Sequence, residues 1–123
     1  APSANLFPGV WEFRLGNISI ESKGKNLVGS GGRSQLNALV MALTQSKTPI
    51  NEVFNYGLTG EVRNNCIKYT LVQKTDQERK TFLSSPDEIT IKGFAFFLPD
   101  GSLSTLEYDK DMTPQYHVAK RIS

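Results

Sequence analysis

Cysteine and histidine, which can act as a nucleophile and a base near neutral pH, occur once each in this sequence, as Cys66 and His117. Cys66 follows a predicted turn and opens a predicted strand, where no helix N-terminus stands beside the thiol to activate it. His117 has no Asp, Glu or Cys near it at a spacing typical of metal ligands. We therefore predict no catalytic residue, no metal site and no cofactor, and we expect a protein that is not an enzyme.

A glycine-rich segment, Gly29-Ser30-Gly31-Gly32-Arg33-Ser34, leads into a predicted helix. Backbone N–H groups at the start of a helix can bind an anion. The spacing of a P-loop, with its final Gly-Lys-Ser/Thr, is absent, so the segment does not predict nucleotide hydrolysis. Two interpretations stay open, an anion site or a flexible connector between a hairpin and the helix.

Charge is unevenly distributed, although the formal net charge is only +2. The segment from Ser22 to Thr48 contains no acid, and its cations, which we call the basic patch, are Lys23, Lys25, Arg33 and Lys47. Acids dominate later in the chain, and those of the predicted acidic hairpin are Asp100, Glu107, Asp109 and Asp111. This split is either ordinary surface scatter or a pair of contact surfaces. In the second case the basic patch binds an anionic membrane or a nucleoprotein, or it contacts the acidic hairpin of the next copy.

Three predicted hairpins would position these residues. The first turns at Gly16-Asn17 and places Leu15 opposite Ile18 and Phe13 opposite Ile20. The second turns at Asn64-Asn65, and its facing pairs are Val62 with Ile67, Leu58 with Leu71, and Glu61 with Lys68. The third joins Ile89–Leu98 to Leu103–Tyr108 through Pro99-Asp100-Gly101. A further alternating segment, Tyr116–Ile122, is consistent with an edge strand.

One amphipathic helix is predicted between the first two hairpins. Ser34 can cap it, and four apolar residues follow at the i, i+3, i+4 and i+7 spacing of one helix face: Leu36, Leu39, Val40 and Leu43. Thr48-Pro49 would end it. We therefore expect a single α+β domain over residues 1–123, in which a curved antiparallel sheet of five to seven strands packs against this main helix. An all-β barrel is the alternative.

The order of segments resembles the globular core of rhabdovirus matrix proteins. The residues that carry this resemblance are Ala1-Pro2-Ser3-Ala4, Arg33-Ser34 with Ala38 and Ala42, Phe54-Asn55-Tyr56-Gly57-Leu58, and Gly93-Phe94 with the turn Asp100-Gly101. Unlike that family, residues 1–22 of this sequence contain no lysine, and Asn5 stands where a late-domain motif requires proline. The resemblance implies a non-enzymatic viral structural protein that self-associates, contacts membrane and coats the nucleocapsid.

A second similarity is to the avidin and lipocalin barrels, through Gly9-Val10-Trp11 and Leu15-Gly16-Asn17. Biotin-binding barrels line their cavity with several tryptophans, whereas Trp11 is the only tryptophan of this chain. If the fold is a barrel, Trp11, Phe13 and Tyr69 are the residues that we expect to line its interior.

These observations lead to a ranking of functions. We predict a non-enzymatic interaction or assembly protein that associates with itself and contacts an anionic membrane or nucleocapsid. The first alternative is a small-ligand carrier of the avidin or lipocalin type, and the second is a secreted effector or inhibitor. The lone Cys66 cannot form an internal disulfide and favours an intracellular location, in host cytoplasm or a virion if the protein is viral, while secretion stays open.

Overall fold

The computed structural model describes residues 6–77, 87–108 and 111–123. Its elements are β1 (Gly9–Phe13), β2 (Gly16–Lys23), β3 (Asn26–Leu36), α1 (Ala38–Leu43), β4 (Asn51–Arg63), β5 (Cys66–Gln77), β6 (Glu88–Phe97), β7 (Leu103–Tyr108) and β8 (Pro114–Arg121). Each strand pairs antiparallel with the next, and β8 pairs with β1, so the sheet closes into a barrel. Within the described residues, none of the helical structure has the length and apolar character needed to span a membrane.

The predicted α+β class is therefore wrong, and the all-β barrel named as its alternative is the observed fold. Ser34 and Leu36 belong to strand β3, and α1 has six residues, capped by Asn37, whose side chain accepts from the Val40 backbone N–H at 3.1 Å. Val40 is the only buried residue of α1, whereas Leu39 is 55% exposed. The prediction that one face of this helix packs into the core is therefore wrong.

Long-range strand pairing explains this error. Residues 26–36 pair one by one with residues 51–61 of β4. The helical spacing of four apolar residues is a local preference, and a continuous ladder with a distant strand overrides it. The glycine-rich segment lies within this ladder, so it is neither a flexible connector nor the entrance to a helix.

The hairpin predictions are more accurate than the helix prediction. In the second, all three predicted pairs, Val62 with Ile67, Leu58 with Leu71 and Glu61 with Lys68, are confirmed. The strands and turn of the third are also confirmed. The first hairpin turns earlier than predicted, at Arg14-Leu15, and its facing pairs are Trp11 with Ile18 and Phe13 with Gly16. Phe13 and Ile20 still point inward because the shift is an even number of residues.

One end of the barrel interior is closed by aromatic rings, and we call it the apolar end. Phe7 and Phe97 stack with their ring centroids 4.6 Å apart, and the Trp11 indole N–H donates to the Phe7 carbonyl at 2.8 Å. Trp11, Phe13 and Tyr69, the expected lining residues, all lie in the buried core. Side chains therefore fill this part of the interior.

The seam that closes the barrel lies at the same end. β1 and β8 share only two facing pairs, Trp11 with Arg121 and Glu12 with Lys120. The Arg121 guanidinium lies 4.4 Å from the centroid of the Trp11 ring and donates to the carbonyls of Pro8 and Leu6 at 2.7 and 2.6 Å. This one side chain therefore ties β8 to the segment that precedes β1.

Candidate functional site

The opposite end of the barrel carries polar residues on its inner wall. β3, β4 and β5 are the longest strands, with 11, 13 and 12 residues. Facing residues of paired strands point to the same side of the sheet. Leu58 of β4 and Leu71 of β5 face each other and point into the barrel. By the same alternation, every second residue at the end of β3, the start of β4 and the end of β5 also lies on the inner wall. We call this region the polar end, and its residues are Arg33, Gln35, Glu52, Gln73 and Thr75.

Arg33 is held at the polar end by uncharged groups. Its Nε donates to the Tyr56 hydroxyl at 2.9 Å, and its Nη1 donates to Gln35 Oε1 at 3.4 Å. The guanidinium carbon lies 4.7 Å from the centroid of the Phe54 ring, in cation–π contact. Within the described part of the chain, no carboxylate forms an ion pair with Arg33. Its charge is therefore oriented but not neutralised.

Two acids on the inner wall are already engaged. Glu52 accepts from the Asn37 side-chain amide at 2.6 Å and from Gln35 at 3.5 Å. Glu107, only 1% exposed, accepts from Arg14 Nε at 3.0 Å and from the Tyr69 hydroxyl at 2.7 Å. Glu107 is therefore ion-paired with Arg14, whereas Glu52 is held by neutral amides, and neither carboxylate forms an ion pair with Arg33.

The Tyr69 hydroxyl is kept protonated by its surroundings. Burial, and then the negative charge of Glu107, raise the pKa of Tyr69 above its ordinary value of 10.0. The side chain passes over Gly93, because Gly93 lies between Tyr69 and Glu107 in the register of the three strands. A Cβ at Gly93 would lie 2.7 Å from Tyr69 Cζ. A larger residue there would displace the ring that holds Glu107.

The β1–β2 turn links two walls of the barrel near the polar end. Arg14 in this turn reaches Glu107 of β7, and the neighbouring Leu15 carbonyl accepts from the Tyr56 hydroxyl of β4 at 2.7 Å. The Arg14 side chain is 31% exposed, and its terminal nitrogens donate to no other described group. Arg14, like Arg33, therefore has guanidinium N–H groups that could donate to a ligand.

Thr75 supplies a buried hydroxyl at the polar end. It is 8% exposed, and its Oγ1 has no hydrogen-bond partner within the described residues. Thr75 faces Phe54 across the β4–β5 pair, and Gln73 is the preceding inward-pointing residue of β5. Buried polar atoms are nearly always hydrogen-bonded, so an unpartnered one commonly indicates a site for water or a ligand.

The structure does not bring the basic patch together. Lys23 and Lys25 lie at the β2–β3 turn, whereas Arg33 lies near the far end of β3 and Lys47 follows α1. The continuous strand between Lys25 and Arg33 separates them by roughly 26 Å at the usual rise per residue. Arg33 is also the one member whose register places it on the inner wall.

The acidic hairpin is dispersed as well. Asp100 lies in the β6–β7 turn, where hydrogen bonds from the Ser102 hydroxyl and backbone N–H lower the pKa of its carboxyl. Glu107 points into the barrel, and Asp111 is exposed in the segment that precedes β8. Asp109 lies outside the described residues. The three described acids therefore do not share one surface.

Cys66 and His117 lie on opposite faces of the barrel wall. Cys66 faces Phe96 on the outer side, and its thiol lies 3.6 Å from the Ile67 carbonyl oxygen. His117 faces the buried Thr105, and its Nε2 lies 3.2 Å from the Glu12 carbonyl oxygen. In the described ranges, no three His, Cys, Asp or Glu residues are grouped so that they could hold a metal ion.

Of the polar end, sequence reasoning named only Arg33 as a site residue; it missed Gln35, Glu52, Gln73 and Thr75, and also the neighbouring Arg14 and Tyr56. A signal was present in β5, where Gln73 and Thr75 continue the inward alternation of Ile67, Tyr69 and Leu71. A polar residue at a position of core parity indicates an interior polar site. The position of Arg14 carries no such signal, because it lies in a turn.

The chain matches no protein-family model, no curated protein and no solved structure. The viral matrix interpretation included an α+β core with a helix introduced by Arg33-Ser34. The closed all-β barrel, with Arg33 and Ser34 inside β3, overturns that core, and the matrix interpretation is not retained.

Proposed function

We propose that this chain is a non-catalytic small-ligand-binding barrel whose ligand is a small organic anion bound at the polar end by Arg33. The observation that carries this proposal is the setting of Arg33, a solvent-exposed guanidinium that neutral partners alone orient at the mouth of the closed barrel. Guanidinium groups recognise carboxylates, sulfonates and phosphates through paired N–H donors.

The neighbours of Arg33 favour an anion that also has an apolar body. The Phe54 ring contacts the guanidinium, and Tyr56 is buried beside it. The Thr75 hydroxyl adds a polar group that can donate to or accept from a ligand. The anionic group of such a ligand would bind the exposed guanidinium, and its aromatic or aliphatic body would reach Phe54, Tyr56 and Thr75, which are 4%, 3% and 8% exposed, only if these side chains move apart.

The packing of the interior limits how deep such a ligand sits. Eight-stranded barrels are just wide enough to be filled by side chains or to hold one small ligand. Trp11, Ile18 and Leu71 are completely buried, so the core below the polar end is filled. The ligand therefore stays near Arg33 and the Arg14-Leu15 turn.

The test compares two fluorescent probes that differ mainly in charge, anilinonaphthalene sulfonate and the neutral phenylnaphthylamine. Arg33→Gln should weaken binding of the sulfonate by roughly tenfold or more, the scale expected when a charged hydrogen-bonding partner is removed. It should change binding of the neutral probe much less. The control is Arg63→Gln, since Arg63 is an exposed arginine at the other end of β4, paired with Glu61 at 3.3 Å.

Two further variants sharpen the test. Thr75→Val keeps the shape of the side chain and removes the hydroxyl, so it should weaken both probes if they reach Thr75. Cys66→Ser and His117→Gln should bind both probes like the original protein, as expected if neither residue belongs to the site. Equal binding of the sulfonate by Arg33→Gln and Arg63→Gln would contradict the proposed site.

A further inference from the structure

The outer wall of β6, β7 and β8 exposes a cluster of apolar side chains. Its aromatic residues are Tyr116, 75% exposed, Phe96, 43% exposed, and Phe94, 42% exposed. Val118 and Met112 are exposed as well. At roughly 200 Å² per aromatic side chain, the three rings together expose about 320 Å², which is within the range of the largest apolar patch on an ordinary monomer.

The strand register arranges this wall in three rows. The central row consists of Phe94, Leu106 and Tyr116, and it lies between the row of Lys92, Tyr108 and Pro114 and the row of Phe96, Ser104 and Val118. A groove of 510 Å³ adjoins the central row and the row that contains Lys92. Its lining includes Phe94, Tyr108 and Met112. We call these three rows and the groove the outer apolar wall.

We propose that two copies of this chain pack through the outer apolar wall about a two-fold axis that runs along β7. Such an axis exchanges the two sides of β7, so Tyr116 of each copy lies over Phe94 and the groove of the other. Phe96 is likewise opposed by Val118, while Leu106 and Ser104 each meet their own counterpart. The surface is thereby complementary to itself, as an isologous interface requires.

Charge and area both favour a second copy as the occupant. Lys92 is the only charged residue in the three rows, and Lys68 also lines the groove. The proposed axis sets Lys92 against the uncharged Pro114 and places Tyr116 over the groove beside Lys68, so no like charges are opposed. The three exposed rings supply about 320 Å², about two-fifths of the roughly 800 Å² that each partner contributes to a standard interface. The remaining residues of the rows would supply a more polar rim.

The first experiment measures the molar mass of the full chain by light scattering and by sedimentation over a wide concentration range. We expect a monomer–dimer equilibrium. Tyr116→Arg should weaken dimerisation by roughly tenfold or more, because aromatic residues at the centre of an interface contribute most to binding. Tyr116 is exposed, so the fold should survive, which circular dichroism checks. The control is Thr59→Arg, since Thr59 is an exposed position of β4 away from this wall.

A second experiment tests the axis itself. In a Cys66→Ser background, Ser104→Cys places a thiol on β7, and packed sheets lie about 10 Å apart, too far for a direct disulfide. A short bifunctional maleimide should therefore cross-link Ser104→Cys but not Thr59→Cys.

Three outcomes would overturn the proposal. The first is a monomer at every concentration, and the second is a dimer that Tyr116→Arg leaves as stable as the original. The third is a monomer that binds anionic vesicles through this wall, which would show that its occupant is a membrane.

Discussion

The hydroxyl of Tyr69 donates to Glu107 Oε2 at 2.7 Å, across a strand that contributes only Gly93 between them. The missing side chain at Gly93 makes this contact possible, since the Tyr69 ring occupies the space in which a Cβ would lie. Three neighbouring strands are thus joined through the interior by one aromatic side chain. This arrangement makes the stability of the barrel sensitive to small changes at all three positions.

Gly93→Ala should destabilise the protein by about 1–3 kcal/mol, the usual cost of overpacking a core. The added Cβ would lie 2.7 Å from Tyr69 Cζ and 2.9 Å from the Leu106 carbonyl oxygen, which cannot easily move. Gly57→Ala is the matched control, since a Cβ there meets nothing within 4 Å. Urea denaturation compares the two. Equal midpoints would show that the Tyr69 ring is not held over Gly93.

Tyr69 should make the folded protein less stable at alkaline pH. Its folded pKa is raised above the ordinary 10.0, so the stability that it contributes is complete below about pH 10. Above that pH the unfolded chain loses the phenolic proton while the folded protein retains it, and stability falls. Denaturation midpoints between pH ~8 and ~11 should decline less in Tyr69→Phe than in the original protein. Tyr116→Phe, which changes an exposed tyrosine, should decline like the original.

The short helix allows a comparison of two adjacent residues. Leu39 is 55% exposed and Val40 is fully buried. Leu39→Ala should change the free energy of unfolding by less than about 0.5 kcal/mol, as surface substitutions usually do. Val40→Ala should cost about 2 kcal/mol, because two buried methyl groups are lost. Chemical denaturation measures both changes, and a loss of about 2 kcal/mol or more in Leu39→Ala would instead support the buried face that the sequence predicted for both residues.

Arg121→Lys should weaken the seam of the barrel. Lysine keeps the positive charge but cannot stack on Trp11 and donate to two carbonyls at once, as the planar guanidinium does. We expect a loss of roughly 1–2 kcal/mol, the size of one or two hydrogen bonds. Relative to the original protein, Arg121→Lys should accelerate amide hydrogen exchange in β1 and β8 more than in β4 and β5. The control is Lys120→Arg, at the neighbouring exposed position.

The sequence by itself determined the local elements whose partners are close in the chain. The Asn64-Asn65 hairpin was predicted to the residue pair, because a two-residue turn fixes the register of the strands beside it. The strands and turn of the third hairpin were also predicted, because Pro99-Asp100-Gly101 has the residue types that favour a turn. The inward faces of β1 and β2 were also correct, even with the turn misplaced, because alternation with period two survives a shift of an even number of residues.

Only the tertiary structure decided that the sheet closes and which polar residues meet inside it. The ladder between β3 and β4 turned a helical apolar pattern into a strand, since pairing with a distant partner outweighs a local preference. Closure through Trp11 and Arg121 joins residues from opposite ends of the chain. Arg14 and Glu107 meet for the same reason, and no local spacing encodes a contact between residues so far apart in sequence.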